Sequence, residues 1–85
     1  MANYQILYWQ DIPSQIKVWD DFDEEKIELP QKFMLKIDQV AKEQGLISED
    51  DYLLQWRWGE EQEQPGTINE VAEKVINELE QKFNT

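Results

Sequence analysis

Asp51-Tyr52-Leu53-Leu54-Gln55-Trp56-Arg57-Trp58-Gly59 is the stretch on which the fold turns. Taken with Ser48-Glu49-Asp50-Asp51 as its opening, it is a helix carrying Tyr52, Leu53 and Trp56. Taken with period two, it is a strand that puts Tyr52, Leu54, Trp56 and Trp58 on one face. Tryptophans two apart, with Gly59 as a stop, favour the strand. A strand here completes a three-stranded sheet; a helix would remove that strand and the layered arrangement with it.

Helices flank this stretch on both sides. Downstream, Thr67-Ile68-Asn69-Glu70 is a capping box. Ile68, Val71, Ala72, Val75, Ile76, Leu79 and Phe83 then recur at helical spacing, a core stripe. Upstream, Pro30 suits a first helical turn, where its missing N–H is no loss. Phe33, Ile37, Val40 and Ala41 continue the pattern, and Gly45 followed by apolar Leu46 ends it, so the helix is expected over 30–44. Leu35 falls about 200° from Phe33, on the polar face. Ile37, Val40, Val75, Ile76 and Leu79 are the expected core.

The N-terminal third reads as strand. Tyr4 to Trp9 is dense in aromatic and β-branched side chains, and Asp11-Ile12-Pro13-Ser14 is turn chemistry. Gln15 to Trp19 alternates, with Ile16 and Val18 on one face and Lys17 and Trp19 on the other. Asp20 to Glu25 is an acidic loop around Phe22, and Lys26 to Leu29 a short edge strand. Glu60 to Gly66 reads as a polar loop. The expected fold is α+β: one domain over residues 1–85, a two-layer sandwich of order β-β-α-β-α with both helices on one face of a small sheet. Ile6, Tyr8, Ile16, Val18, Leu54 and Trp56 would meet the helices. Leu7, Trp9, Lys17, Trp19 and Arg57 would occupy the other face.

Composition narrows the chemistry. The chain has four tryptophans, no cysteine and no histidine. It therefore lacks an imidazole base, a thiolate nucleophile, a disulfide and a thiolate zinc site. Nineteen acids against eight bases leave a net charge of −11. Such a chain repels phosphate backbones and anionic membrane surfaces, and attracts basic partners at low salt. The first residues have neither a basic nor an apolar segment of signal-peptide type, so a cytoplasmic protein is expected. The acidic run Asp20-Asp21-Phe22-Asp23-Glu24-Glu25 lacks the central glycine and spaced final glutamate of a calcium loop and reads as a solvated loop. No catalytic set, metal site or cofactor site is expected.

Several stretches resemble a small bacterial domain family known as the conserved region of a virulence factor. The family opening of tyrosine, tryptophan, arginine, aspartate, isoleucine and proline, with a glutamine after one further residue, is similar to Tyr8-Trp9-Gln10-Asp11-Ile12-Pro13 with Gln15. Leu29-Pro30, Phe33, Ile37-Asp38, Tyr52-Leu53 and Trp56-Arg57 continue the likeness. Gln10 departs from it, standing where the family has arginine. The resemblance implies a domain that stands alone or is joined to helical HEAT-type repeats, and it brings no activity, cofactor or catalytic residue with it.

The candidate site is a binding surface. Trp9 and Trp19, beside Lys17 and Arg57 and near Asp11, would form an aromatic and cationic patch on an acidic protein, and tryptophan and arginine are favoured at binding hot spots. The expected function is a non-catalytic interaction module engaging a protein partner or, as a homodimer, a second copy. The alternative is a small-ligand-binding domain or minor enzyme using the same face, with Asp11 and Arg57 as polar contacts. The bland fates of these residues are a turn for Asp11, an Asp38–Arg57 ion pair and plain sheet cover for Trp9.

Overall fold

The computed structural model describes residues 1–45 and 49–83. The elements run β1 (Ala2–Trp9), β2 (Ile12–Trp19), β3 (Glu24–Glu28), α1 (Gln31–Glu43), α2 (Glu49–Leu53), β4 (Trp56–Trp58), β5 (Gln62–Gln64) and α3 (Ile68–Phe83). The expected α+β class holds, a sheet with helices packed on it.

The sheet is antiparallel throughout, in the order β3-β2-β1-β4, with β5 also on β1. β1 is thus flanked on one side by β2 from Asn3 to Trp9. On the other side two short strands share it: β4 pairs Leu7 to Trp9, and β5 pairs Ala2 to Tyr4. The deciding stretch combines both readings. Its first part is the single-turn helix α2, and only Trp56–Trp58 is strand. β5 arises inside what reads as a polar loop.

Each helix forms where its signals stand. Thr67 Oγ1 accepts from the Glu70 N–H at 3.2 Å, and the Glu70 carboxylate accepts from the Thr67 N–H at 3.5 Å, so the capping box closes in both directions. α3 then buries Ile68, Val71, Ala72, Val75 and Leu79, with Ile76 half-buried. α1 starts after Pro30 and ends before Gly45, whose φ of 70° is the left-handed cap expected there.

Two cores result. The larger joins α3 to Ala2, Ile16, Val18, Leu29 and Phe33. The smaller centres on Trp9, fully buried against Ile37 and Ala41, with Ile12, Met34, Val40, Tyr52 and Trp56 around it. α1 serves both. It lies across the hairpin end of the sheet, where Ser14 Oγ sits 3.3 Å from Met34 Sδ and the Gln10 and Gln44 amides pair. Phe33 turns to α3, its ring 4.6 Å from that of Phe83, while Ile37 and Ala41 turn to Trp9. A bulge in β2 makes this possible. Leu7 pairs Gln15 but Tyr8 pairs Pro13, so Ser14 is the extra residue. Ile12 and Ile16, four apart, therefore face different cores.

Candidate interaction face

Alternation along β2 buries Ile16 and Val18 and turns Gln15, Lys17 and Trp19 to the other side of the sheet. On β1 that side carries Gln5 and Leu7, opposite Lys17 and Gln15. β4 adds Trp58, paired to Leu7. Gln5 Nε2 donates to the Gly59 carbonyl at 3.1 Å and holds the end of β4 in place. The Lys17 ammonium lies over two rings at once, 5.2 Å from the centroid of Trp19 and 5.2 Å from that of Trp58. Each such contact contributes about 0.5–1 kcal/mol at an exposed site. Leu7, Trp19 and Trp58 belong to neither core, and Trp58 is 44% exposed. On β3, Glu24 sits opposite Trp19 and Lys26 opposite Lys17, both exposed. The face is an aromatic platform with a fixed cation between its rings.

The five residues singled out from sequence divide three ways. Lys17 and Trp19 come together on this face as expected. Trp9 shares their side by strand parity but is completely covered, because α1 and α2 pack over it. Its indole N–H donates to the Tyr52 carbonyl at 2.9 Å, and its ring is 5.4 Å from Tyr52. Arg57 lies on the opposite side of the sheet, since it pairs Tyr8 and holds its guanidinium 4.9 Å over that ring. Asp11 in the hairpin turn meets Arg57 across 3.5 Å, and its side chain is fully exposed. This Asp11–Arg57 contact replaces the Asp38–Arg57 pair. Asp38 instead acts on Tyr52, whose phenol is pushed up by burial and then by that carboxylate.

Arg57 and Trp58 take the faces opposite to those expected from sequence, and the cause is the register of β4. Placing Leu54 and Trp56 toward the α3 layer sent Arg57 outward. The observed pairing reverses this: Arg57 is on the α3 side, Trp56 joins Trp9, and Leu54 is 79% exposed outside the strand. Three residues carry too little pattern to announce their own parity.

The acidic loop is built on Asp20. Its Oδ1 accepts from the N–H groups of Phe22 and Asp23, both at 2.8 Å, which holds the carboxyl below the ordinary aspartate value. Among the described residues no group of three or more acidic side chains is gathered closely enough to hold a metal ion. Among them too, no helix is long and apolar enough to cross a membrane.

A profile of the family described as "Virulence factor" matches residues 7–85, and the chain belongs to that family. The match takes in the Tyr8–Arg57 stretch and extends through α3. No curated protein and no solved structure matches the chain.

Proposed function

We propose that the chain is a non-catalytic interaction module that engages a protein partner through the open sheet face formed by Lys17, Trp19 and Trp58. The observation that carries this reading is the pair of tryptophans stacked on one lysine outside both cores. Rigid, half-exposed aromatics with a held cation supply large contact area at little entropic cost, the composition of an interface centre. A net charge of −11 on each copy opposes face-to-face self-association, so a partner is preferred to a second copy. A chain without cysteine has no call for an oxidising compartment, which supports action in the cytoplasm. A ligand-binding reading of this same face loses its polar contacts, because Asp11 and Arg57 lie off it.

The test is a photo-crosslinking residue at Gln15, outward-facing beside Lys17, compared with one at Glu73 on the exposed side of α3. A discrete adduct from Gln15, lost when Trp19 and Trp58 are both alanine and circular dichroism shows the fold kept, supports the proposal. An adduct from Glu73 alone, or one indifferent to both tryptophans, sinks it. An adduct of twice the chain mass would replace the partner with a second copy.

A further inference from the structure

On the other side of the sheet, where α1 meets α3 beside the hairpin end, a groove of about 580 Å³ opens. Its floor is apolar: Ile12, Pro13, Phe33, Leu79 and Phe83, with Tyr8 in one wall. The size lies within the range of about 300–1,000 Å³ usual for small-molecule sites. Four residues of the Tyr8–Pro13 motif, Tyr8, Asp11, Ile12 and Pro13, line it, and the sheet-face reading uses none of them.

Charge sets this groove apart. In a chain with 19 acids and 8 bases, a concave surface is expected to be acidic. The hollow beside Asp20, Asp23, Glu24 and Glu25 is acidic in that way. Among the described residues the charged lining here is Lys36, Lys82 and one acid, Asp11, which is turned to Arg57. Lys32 stands behind the floor, 5.9 Å from the Phe33 ring and 5.6 Å from the Phe83 ring. Lys32 is paired with Glu80 and Arg57 with Asp11, each at 3.5 Å, so the bases that line the apolar hollow itself are Lys36 and Lys82.

We infer that this groove binds a small hydrophobic carboxylic acid, its aliphatic or aromatic tail on Phe33, Leu79 and Phe83 and its carboxylate toward Lys36 and Lys82. The tail matches the floor, and the anion matches the basic rim. A single negative charge fits better than a phosphate dianion, because the groove lies at the C-terminal end of α3, where the helix dipole opposes high negative charge. The Tyr8 phenol in the wall is protonated at neutral pH, as a tyrosine ordinarily is, and can donate to the carboxylate. This site is separate from the partner face, and neither reading depends on the other.

The probe is decanoate, titrated into the isotope-labelled protein, with decanol and decylamine as controls. Decanoate should shift the resonances of Tyr8, Phe33 and Phe83 at concentrations of roughly 1 mM or below, and bind about tenfold more tightly than decanol. Lys36→Glu with Lys82→Glu should abolish binding, with Lys36→Gln alone weakening it should the double variant fail to fold. Lys74→Glu, on the same helix but outside the groove, should leave it unchanged. Equal binding of all three head groups, no shift at the groove residues, or full binding by the folded double variant would overturn the inference.

Discussion

Trp9 Nε1 donates to the backbone carbonyl of Tyr52, 43 positions along the chain, at 2.9 Å. This bond fastens α2 to the end of β1, and the two rings beside it pack within the smaller core. A tryptophan that looks like a binding residue by strand parity is thereby a keystone of the fold. Trp9→Ala should cost about 3–5 kcal/mol in urea unfolding, from lost packing and the loss of the shorter of two hydrogen bonds to the Tyr52 carbonyl, which keeps the Gln55 N–H at 3.3 Å. Trp19→Ala and Trp58→Ala, outside both cores, should each cost about 1 kcal/mol or less. Similar costs for all three would mean that the second core is not a core.

Leu79 tests the larger core and the groove together. It is buried on α3 and its side chain also forms groove floor. Leu79→Ala should destabilise by about 2–5 kcal/mol. Leu54→Ala, at a position 79% exposed, should change stability by less than about 0.5 kcal/mol. A cost below about half a kcal/mol at Leu79 would place the α3 stripe in solvent, contrary to the burial it carries.

Both long helices were legible because periodicity over three or more turns outweighs local ambiguity, and the capping box marked the start of α3 to the residue. β5 was not legible. Gln62-Glu63-Gln64 has no apolar pattern and is a strand only because the backbone of Ala2 to Tyr4 pairs with it. The β2 bulge at Ser14 was equally silent, yet it is what sends Ile12 to Trp9 and leaves Ile16 with α3. Lys17 and Trp19 were placed correctly by alternation within one strand. Arg57 and Trp58 were not, because their faces depend on pairing between strands far apart in the chain.

The acidic loop carries a pH dependence whose sign follows from Asp20. Hydrogen bonds from the Phe22 and Asp23 N–H groups favour its charged form and depress its folded-state pKa. A depressed carboxyl contributes stability above its unfolded value and loses it as pH falls below about 3.9 and through the folded value. Carboxyl NMR should find Asp20 titrating below an ordinary aspartate. Asp20→Ala should flatten the acid limb of stability against pH, and an unchanged limb would show that the turn does not hold its carboxylate.

Gln10 closes the β1–β2 hairpin with a φ of 55°, left-handed backbone that glycine adopts freely and an L side chain resists by about 1–2 kcal/mol. Its side chain offsets that strain. Gln10 Nε2 donates to Gln44 Oε1 at 2.7 Å and to Gln55 Oε1 at 3.3 Å, and Gln44 Nε2 donates back to Gln10 Oε1 at 3.0 Å. The turn is thus tied to the end of α1 and to the approach to β4, both of which cover Trp9. Gln10→Ala keeps the strain and loses the ties. Gln10→Gly loses the ties and the strain together, against a larger unfolded-state entropy of about 0.5–1 kcal/mol. The alanine variant should therefore be the less stable of the two by about 0.5–1 kcal/mol. Gln44→Ala should matter less in the Gln10→Ala background than alone, by about 0.5 kcal/mol or more, the mark of a pair in direct contact. Alanine and glycine variants of equal stability would mean that position 10 relaxes out of the left-handed region, and additive losses at Gln10 and Gln44 would mean that the amide pair does not form in solution.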